Sequence, residues 1–388
     1  MNESRGTRYQ RFRRRGRAAS LAAAAIALGL VAFTPAGPGI AAWSARVAAG
    51  APAGWREPAV FVVFVLAVAS LLELASLPAR LYTGLGGAAR RGATGLRLGA
   101  ALAGEARVAM LAVAGLLASA AVTQTAVLSF GSWWWLGAGF VLAGGWLVAL
   151  QTAPVLVAVL AKSRPVTTPA MAERLSALAR RAGVPVGRVD EFPVHDVDDA
   201  TAFVAGLGGF RRVFLASTVL RDWSDDEIAV VVAHELGHHR HGDLWATFAL
   251  DASLLTCGLA ASHLALPALA PAAGTLGSLA VLPVIGCVAG AVWVGGAPLR
   301  HVLSRRQERR ADQFALALTD AAGPFAAVIR RLAARHLADE RPALAWKLTS
   351  RHPTVAERLE LADAHLEATA PSADAGRRAG SPGPRWAG

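Results

Sequence analysis

The run HELGH at residues 234–238 places two histidines and a glutamate at a spacing that suits a metal ion. Residues four apart lie on one face of an α-helix, about 5–6 Å from each other, so His234 and His238 can ligate the same ion. Zinc binds imidazole nitrogen at about 2.0–2.1 Å, and a glutamate beside the first ligand can take a proton from a water at the open coordination position. The spacing therefore predicts a zinc site with Glu235 as its general base.

The helix that carries this run is predicted to begin near residue 225. Ser224 and Glu227 have the spacing of a capping box, in which each side chain satisfies a backbone donor of the first turn. The alternative is a surface helix end without a metal, because His239, Arg240 and His241 are typical of a solvated helix terminus. A third ligand elsewhere in the chain would favour zinc, since catalytic zinc has three protein ligands.

The third ligand is predicted in the segment that follows residue 300. Leu244 occupies the position where metzincins carry a third histidine, which excludes that class. Glu308 and Asp312 are four apart on a predicted helix, so they share a face and Glu308 can be the carboxylate ligand. Asp312 can accept a hydrogen bond from a ligand imidazole and fix its tautomer. The alternative for this segment is an ordinary helix rich in Arg and Glu.

The composition is that of an integral membrane protein. Of the 388 residues, 54% are hydrophobic and 17% are charged, and the mean hydropathy is +0.42. Soluble domains carry about a quarter charged residues, so a freely soluble protein is excluded, as is a disordered chain. Runs of about 20 apolar residues predict membrane spans. The six predicted spans are 18–34, 59–78, 107–130, 133–161, 244–270 and 276–299.

These spans divide the chain into segments of different character. A basic N-terminus, 1–17, precedes a membrane region of four spans, 18–161, whose first span has a signal peptide as its alternative. The polar segments 162–243 and 300–367 carry the candidate ligands and are predicted to form one domain. They are joined by the transmembrane hairpin 244–299. The remaining tail, 368–388, has the Pro, Gly and Ser bias of a disordered end.

Arginines set the predicted orientation. Seven lie in residues 1–17 and five in the connection 79–107, but only two in 35–58. Short loops rich in Arg stay in the cytoplasm, so the N-terminus and both polar segments are predicted there. The net charge of +12 suggests nucleic acid as an alternative partner. No recognition motif accompanies the arginines, so a nucleic-acid partner is not predicted. With Cys257 and Cys287 as its two cysteines, the chain has no disulfide framework and no cysteine-based zinc site.

Together these motifs resemble the integral-membrane zinc metalloproteases of family M48. The resemblance is carried by HELGH at 234–238 and the later Glu308 and Asp312, with a pair of predicted transmembrane helices between them. It covers most of the chain and includes the stretch 206–215 and the His352-Pro353 pair followed by Arg358. The CaaX prenyl protease (Ste24) branch is more similar than the shorter HtpX branch.

The resemblance implies a mostly α fold. The expected architecture is a polytopic membrane bundle of about six transmembrane helices with a cytoplasmic α+β zinc protease domain of the gluzincin type, built from the two polar segments. The resemblance also makes His352 and Arg358 candidates for stabilising the oxyanion. Each has a simpler alternative: His352 can cap a helix that starts at Thr354, and Arg358 can be a salt-bridge partner.

A substrate-binding strand is predicted as well. Segments 201–208 and 212–217 have the pattern of two strands around a glycine-rich turn. A protease of this type uses the edge of such a hairpin as a rail to which an extended peptide adds its backbone. The rail residues would be Thr201, Ala202 and Phe203, and the alternative is a plain structural hairpin. Thr201 stands where the family usually has Asn, so a different specificity is compatible with the sequence.

The sequence thus predicts a multi-pass cell-membrane enzyme that hydrolyses peptides or membrane-protein segments at the cytoplasmic face with one zinc ion per chain. Its partners are the peptide substrate and the lipid bilayer, and its oligomeric state is not predicted. One alternative is a catalytically silent, zinc-stabilised membrane scaffold, which has no need to keep the complete set of ligands and base. Another is a transporter, but Glu73 and Asp251 are the acidic residues within the spans, and each lies close to a span end or to the metal motif.

Overall fold

The computed structural model describes residues 5–90, 98–160, 162–193, 202–269, 275–335 and 350–369. These residues are mostly helical, as the sequence predicts, and they include one small sheet. The helices are α1 Arg5–Phe33, α2 Ala36–Val47, α3 Arg56–Arg90, α4 Leu98–Phe130, α5 Trp134–Leu160, α6 Pro169–Arg181, α7 Ser217–Asp222, α8 Asp225–Arg240, α9 Asp243–Leu269, α10 Val281–Gly295, α11 Ala297–Thr319, α12 Ala322–Arg335 and α13 Val355–Thr369. The strands are β1 Arg164–Pro165, β2 Arg188–Phe192, β3 Ala202–Ala205 and β4 Arg212–Ala216.

Contacts divide the chain into two compact units. One, here called the membrane unit, consists of Met1–Ala153 and Gly242–Ser304. The other, here called the site unit, consists of Pro154–His241 and Arg305–Gly388. Each unit is therefore built from two segments that are separated along the chain. The predicted disordered tail lies outside the described residues, except that residues 368 and 369 complete α13 and are helical.

The membrane unit carries the long apolar helices. Within the described residues, four stretches are long and apolar enough to cross a membrane, or five if the bent pair α10 and α11 is one span. The stretch Leu102–Leu156 is 55 residues long and covers most of α4 and α5, which meet at a 3-10 turn over Gly131–Trp133. The sequence predicts two spans here, 107–130 and 133–161.

Small and polar side chains fix the packing of these helices. A Cβ at Gly258 would lie 3.0 Å from Ala289 Cα, so α9 and α10 approach closely at a small-residue crossing. Trp134 is fully buried, and its indole nitrogen donates a hydrogen bond to His263 Nδ1 at 3.1 Å. A second polar group joins α3 to α4, because Arg80 pairs with Glu73 and, at 3.0 Å, with Glu105. The charge of Glu73 within a predicted span is therefore balanced by an ion pair.

The site unit contains a four-stranded mixed sheet in the order β1-β2-β4-β3. The run Val213–Ala216 in β4 is apolar and fully buried, as expected of a central strand that is covered on both faces. β4 pairs in parallel with β2 and antiparallel with β3, which leaves β3 at the edge. Gly206 and Gly208 follow β3 with φ of +98° and +57°, values that glycine adopts without a steric penalty. The predicted hairpin is confirmed.

Candidate metal centre and active site

Helix α8 presents the HELGH run from a well-defined start. Ser224 Oγ accepts a hydrogen bond from Glu227 N, and Glu227 Oε2 accepts one from Ser224 N, so the predicted capping box is confirmed. Ile228, Val232 and Leu236 recur at helical spacing and are almost completely buried in the core of the site unit. This apolar stripe fixes the rotation of α8 and thereby the direction of the residues between its members.

Helix α11 delivers the acidic residues to α8 through a close helix contact. A Cβ at Gly237 would lie 3.1 Å from Ala311 Cα and 3.2 Å from Phe314 Cδ1, so only glycine lets the backbones approach this far without a shift. Glu308 lies about one turn before Ala311 and faces the imidazoles of α8. The glycine within the HELGH run therefore has a structural role in assembling the ligands.

The three predicted ligands lie together. His234 Nε2 is 3.2 Å from His238 Nε2 and 3.6 Å from Glu308 Oε2, and His238 Nε2 is 3.9 Å from Glu308 Oε1. Ligands about 2.0–2.1 Å from a tetrahedral zinc are separated from one another by about 3.3 Å. The observed separations are close to this value, and two imidazoles with one carboxylate are a donor set that zinc prefers. The residues present therefore fit a zinc ion.

Asp312 and Arg358 form a buried support for His234. Asp312 is 1% exposed, and its Oδ1 lies 2.9 Å from His234 Nδ1, the ring nitrogen that is not directed at the other ligands. Arg358 binds the same carboxylate at 2.8 Å through Nε and 2.5 Å through Nη2. Burial acts to raise the pKa of Asp312, but the charges and hydrogen bonds of Arg358 and His234 together outweigh it, and that pKa is lowered. The salt-bridge alternative for Arg358 thus describes its observed contact.

His352 lies at the exposed side of the cluster. Its side chain is 63% exposed, and its Nδ1 is 3.0 Å from Glu308 Oε1. Burial acts to raise the pKa of Glu308, but the hydrogen bond from His352 and the charge of His234 outweigh it and lower that pKa to about 2. Helix α13 is capped by a reciprocal pair between Thr354 and Glu357. The alternative role of His352, as the cap of this helix, is therefore taken by Thr354.

Glu235 lies partly buried beside the ligands. Burial raises the pKa of its carboxyl, while the charges of His234 and His238 oppose that rise. A backbone hydrogen bond from Val204 in β3 also lowers it. A carboxylate with a raised pKa is a better proton acceptor near neutral pH, which suits the predicted general base.

His239 makes two contacts that the sequence does not predict. Its Nε2 lies 3.1 Å from the carbonyl oxygen of Val204, and its Nδ1 accepts a hydrogen bond from Arg211 Nε at 3.3 Å. Burial lowers its pKa, so the expectation of a solvated terminus is wrong at this residue. His241, in contrast, packs edge-to-face on Phe314. A usable signal was present in the sequence, because Glu235 and His239 are four apart and share a helix face.

The predicted rail coincides with edge strand β3. Ala202 and Phe203 belong to this strand, whereas Thr201 lies outside the described residues. Phe203 stacks on Phe214 of β4 with ring centroids 5.2 Å apart, which fixes the strand against the sheet. The role of this edge in binding substrate remains a prediction.

A cavity of about 380 Å³ adjoins the metal cluster. His234, Glu235 and Glu308 line one part of it. The other part, here called the apolar recess, is lined by side chains of α7, α8 and α12 and by Trp223. The recess residues are Val219, Trp223, Val230, Val231, Phe325, Val328, Ile329 and Leu332. The arrangement can hold an apolar side chain beside a metal-bound peptide.

Comparisons with known proteins agree with this arrangement. A model described as peptidase family M48 matches residues 165–366. Uncharacterized metalloprotease YhfN of Bacillus subtilis (strain 168) is 26% identical over 246 residues, which are 59% of this chain and 56% of YhfN. A protease HtpX homolog of Desulfotalea psychrophila is 28% identical over 178 residues, 43% of this chain and 61% of that protein. The chain therefore matches little more than half the length of these relatives.

The fold is also found among solved structures. The crystal structure of S. mikatae Ste24p is similar with a TM-score of 0.72 at 17% sequence identity. The match covers 84% of this chain and 80% of Ste24p. At this identity the likeness establishes a common fold.

Proposed function

Because this chain belongs to peptidase family M48 and is a multi-pass membrane metalloprotease, we propose that it is a zinc endopeptidase that cuts peptides or membrane-protein segments. The observation that supports the proposal most directly is the near-tetrahedral spacing of His234, His238 and Glu308 beside the partly buried carboxyl of Glu235. The part of the chain that the structure describes contains one such set of three ligands, which supports one zinc ion per chain.

In the proposed mechanism, His234, His238 and Glu308 would hold the zinc. The chemistry that zinc supplies when bound is polarisation of the scissile carbonyl and a lowered pKa for a coordinated water. Glu235 accepts a proton from the attacking water at its carboxylate and then donates it to the nitrogen of the leaving amine. The helix contact at Gly237 keeps these groups in register, so little reorganisation precedes the reaction.

We assign His352 and Arg358 different parts in this mechanism. His352 is exposed and lies next to Glu308, so it can turn its imidazole toward a substrate and donate a hydrogen bond to the developing oxyanion. Arg358 is held by two hydrogen bonds to Asp312. It acts as a positioning residue, because it fixes the carboxylate that orients His234.

The apolar recess supports a substrate with a bulky apolar side chain next to the cleaved bond. Val231 lies one turn before Glu235, the group that protonates the leaving amine. The recess is therefore assigned to the residue on the amine side of that bond. Edge strand β3 would bind the peptide backbone on the same side of the cluster, with Ala202 and Phe203 as rail residues.

The proposed topology has six spans and an active site that faces the cytoplasm. The 55-residue stretch Leu102–Leu156 is more than twice the length of about 20 residues that one crossing needs, so α4 and α5 are assigned one span each. Together with α1, α3, α9 and the bent α10–α11 pair, this makes six. The arginine-rich connections then place both segments of the site unit in the cytoplasm.

The decisive experiment compares purified wild-type protein with Glu235→Gln. Wild-type protein is expected to contain about one zinc per chain and to cleave reporter peptides, with leucine or phenylalanine preferred over glycine after the cleaved bond. Glu235→Gln should keep its zinc and lose about 10²- to 10⁴-fold in kcat, because it lacks the general base.

Two controls accompany this comparison. His234→Ala should lose zinc, and Glu173→Gln, a change at an exposed position of α6, should leave zinc and activity unchanged. Cleavage that persists in Glu235→Gln or in excess chelator would rule out the proposal. Stoichiometric zinc without cleavage of any reporter would favour the scaffold instead.

A further inference from the structure

Val204 of edge strand β3 contacts two side chains of α8, the helix that carries the two histidine ligands. Its carbonyl oxygen lies 3.1 Å from His239 Nε2, and its backbone also hydrogen-bonds the Glu235 carboxylate. The N–H and C=O of one strand residue point to the same side of the strand. Glu235 and His239 are four apart, and such side chains lie about 5–6 Å from each other on one helix face. Glu235 and His239 are therefore spaced so that one can meet the N–H of Val204 and the other its C=O, both of which point away from β4.

Arg211 fixes which ring nitrogen of His239 carries the proton. An arginine can only donate, so the 3.3 Å contact from Arg211 Nε makes His239 Nδ1 an acceptor. The proton must then lie on Nε2, where it is donated to the Val204 carbonyl oxygen. Val204 and Arg211 come from β3 and from the turn that follows it, so the hairpin holds the imidazole at both nitrogens.

From this geometry we infer that His239, oriented by Arg211, is a positioning residue for hydrolysis. The pair holds β3 against α8, and this keeps the backbone of Val204 on the Glu235 carboxylate. The general base is thereby fixed with respect to both the metal ligands and the strand that would bind the substrate. The inference rests on the proposed function, since it assigns a partner to the proposed base.

The test uses His239→Leu, which removes both hydrogen bonds, and His239→Gln, whose amide nitrogen can again donate to Val204. His241→Leu is the matched control, because it makes the same change two residues later and touches neither Val204 nor Glu235 in any described contact. All three variants are prepared as full-length, zinc-loaded protein. Zinc content, kcat, KM and hydrogen exchange of the segment 202–205 are measured.

His239→Leu is expected to keep its zinc but to lose about 10- to 100-fold in kcat, the loss that a misplaced catalytic group produces. Its KM should rise as well, because a loosened β3 would hold the peptide less firmly. Exchange in 202–205 should become faster. His239→Gln should recover most of these properties, and His241→Leu should match the wild-type protein in all of them. Exchange does not depend on turnover, so it tests the contact even if the protein cleaves no peptide.

Other results would overturn the inference. Wild-type kcat and wild-type exchange in His239→Leu would show that the contact positions nothing. A loss of zinc that His239→Gln fails to rescue would show a role in folding alone. If Glu235→Gln is also fully active, the proposed function is wrong. The exchange result then tests only whether His239 holds β3 against α8.

Discussion

At the residue scale, Asp312 determines how firmly His234 is held. Its buried carboxylate receives two hydrogen bonds from Arg358 and lies 2.9 Å from His234 Nδ1. Asp312→Asn preserves the shape but removes the charge, and it leaves the buried guanidinium without its principal counter-charge. Loss of such a supporting group costs about 10- to 100-fold in metal affinity. Asp312→Asn is therefore expected to lose zinc to a competing chelator at a correspondingly lower concentration.

The matched control for this prediction is Asp320→Asn. Asp320 also pairs with a histidine, His365 at 3.0 Å, but its side chain is 76% exposed. Exposed ion pairs contribute about 0–1 kcal/mol, and Asn tolerates the positive φ at this position. Asp320→Asn should therefore retain zinc like the wild-type protein. Equal retention by Asp312→Asn and Asp320→Asn would contradict the assigned role of Asp312.

At the scale of elements, the approach of α8 to α11 depends on Gly237. Substituting alanine for glycine within a helix ordinarily stabilises it by up to about 1 kcal/mol. At Gly237, however, the new Cβ would meet the backbone of Ala311 at 3.1 Å, and overpacking of this kind costs about 1–3 kcal/mol. The steric cost outweighs the gain in propensity. Gly237→Ala is therefore expected to lower the thermal unfolding midpoint and to weaken zinc binding.

Gly323 in α12 provides the comparison, because a Cβ there would meet nothing within 4 Å. Gly323→Ala should leave the midpoint unchanged or raise it slightly, and zinc binding should not change. Both midpoints are measured on zinc-loaded and zinc-free protein. A Gly237→Ala variant as stable as Gly323→Ala would show that α8 and α11 do not need this contact.

The contacts between elements also show which features of the fold and of the site can be predicted from the sequence. The capping box of α8, the hairpin and the three metal ligands were predictable because each depends on a spacing along the chain or on a donor type. The contact of Val204 with His239 spans 35 residues, and that of Arg358 with Asp312 spans 46. No local pattern determines which distant side chain fills such a position. Burial of His239 was missed because its neighbours Arg240 and His241 have the composition of a solvated helix end.

At the scale of the whole molecule, the distribution of arginine should decide which side of the membrane carries the site. Residues 1–17 and 79–107 hold twelve arginines together, against two in 35–58, and such a bias retains loops in the cytoplasm. The orientation can be measured by replacing Cys257 and Cys287 with alanine and introducing single cysteines. Ala53→Cys reports on the loop 35–58, and Glu360→Cys reports on α13 of the site unit.

In intact cells, a membrane-impermeant maleimide is expected to label Ala53→Cys and to spare Glu360→Cys. After the membrane is permeabilised, both should react, because both side chains are exposed. Protection of Glu360→Cys that persists after permeabilisation would mean that burial, and not the bilayer, shields it, and Glu367→Cys on the same helix would replace it as the reporter. Labelling of Glu360→Cys from outside would place the zinc ligands on the external face. The arginine-rich loops would then have to be held there against their charge, and substrates would have to reach the site from outside the cell.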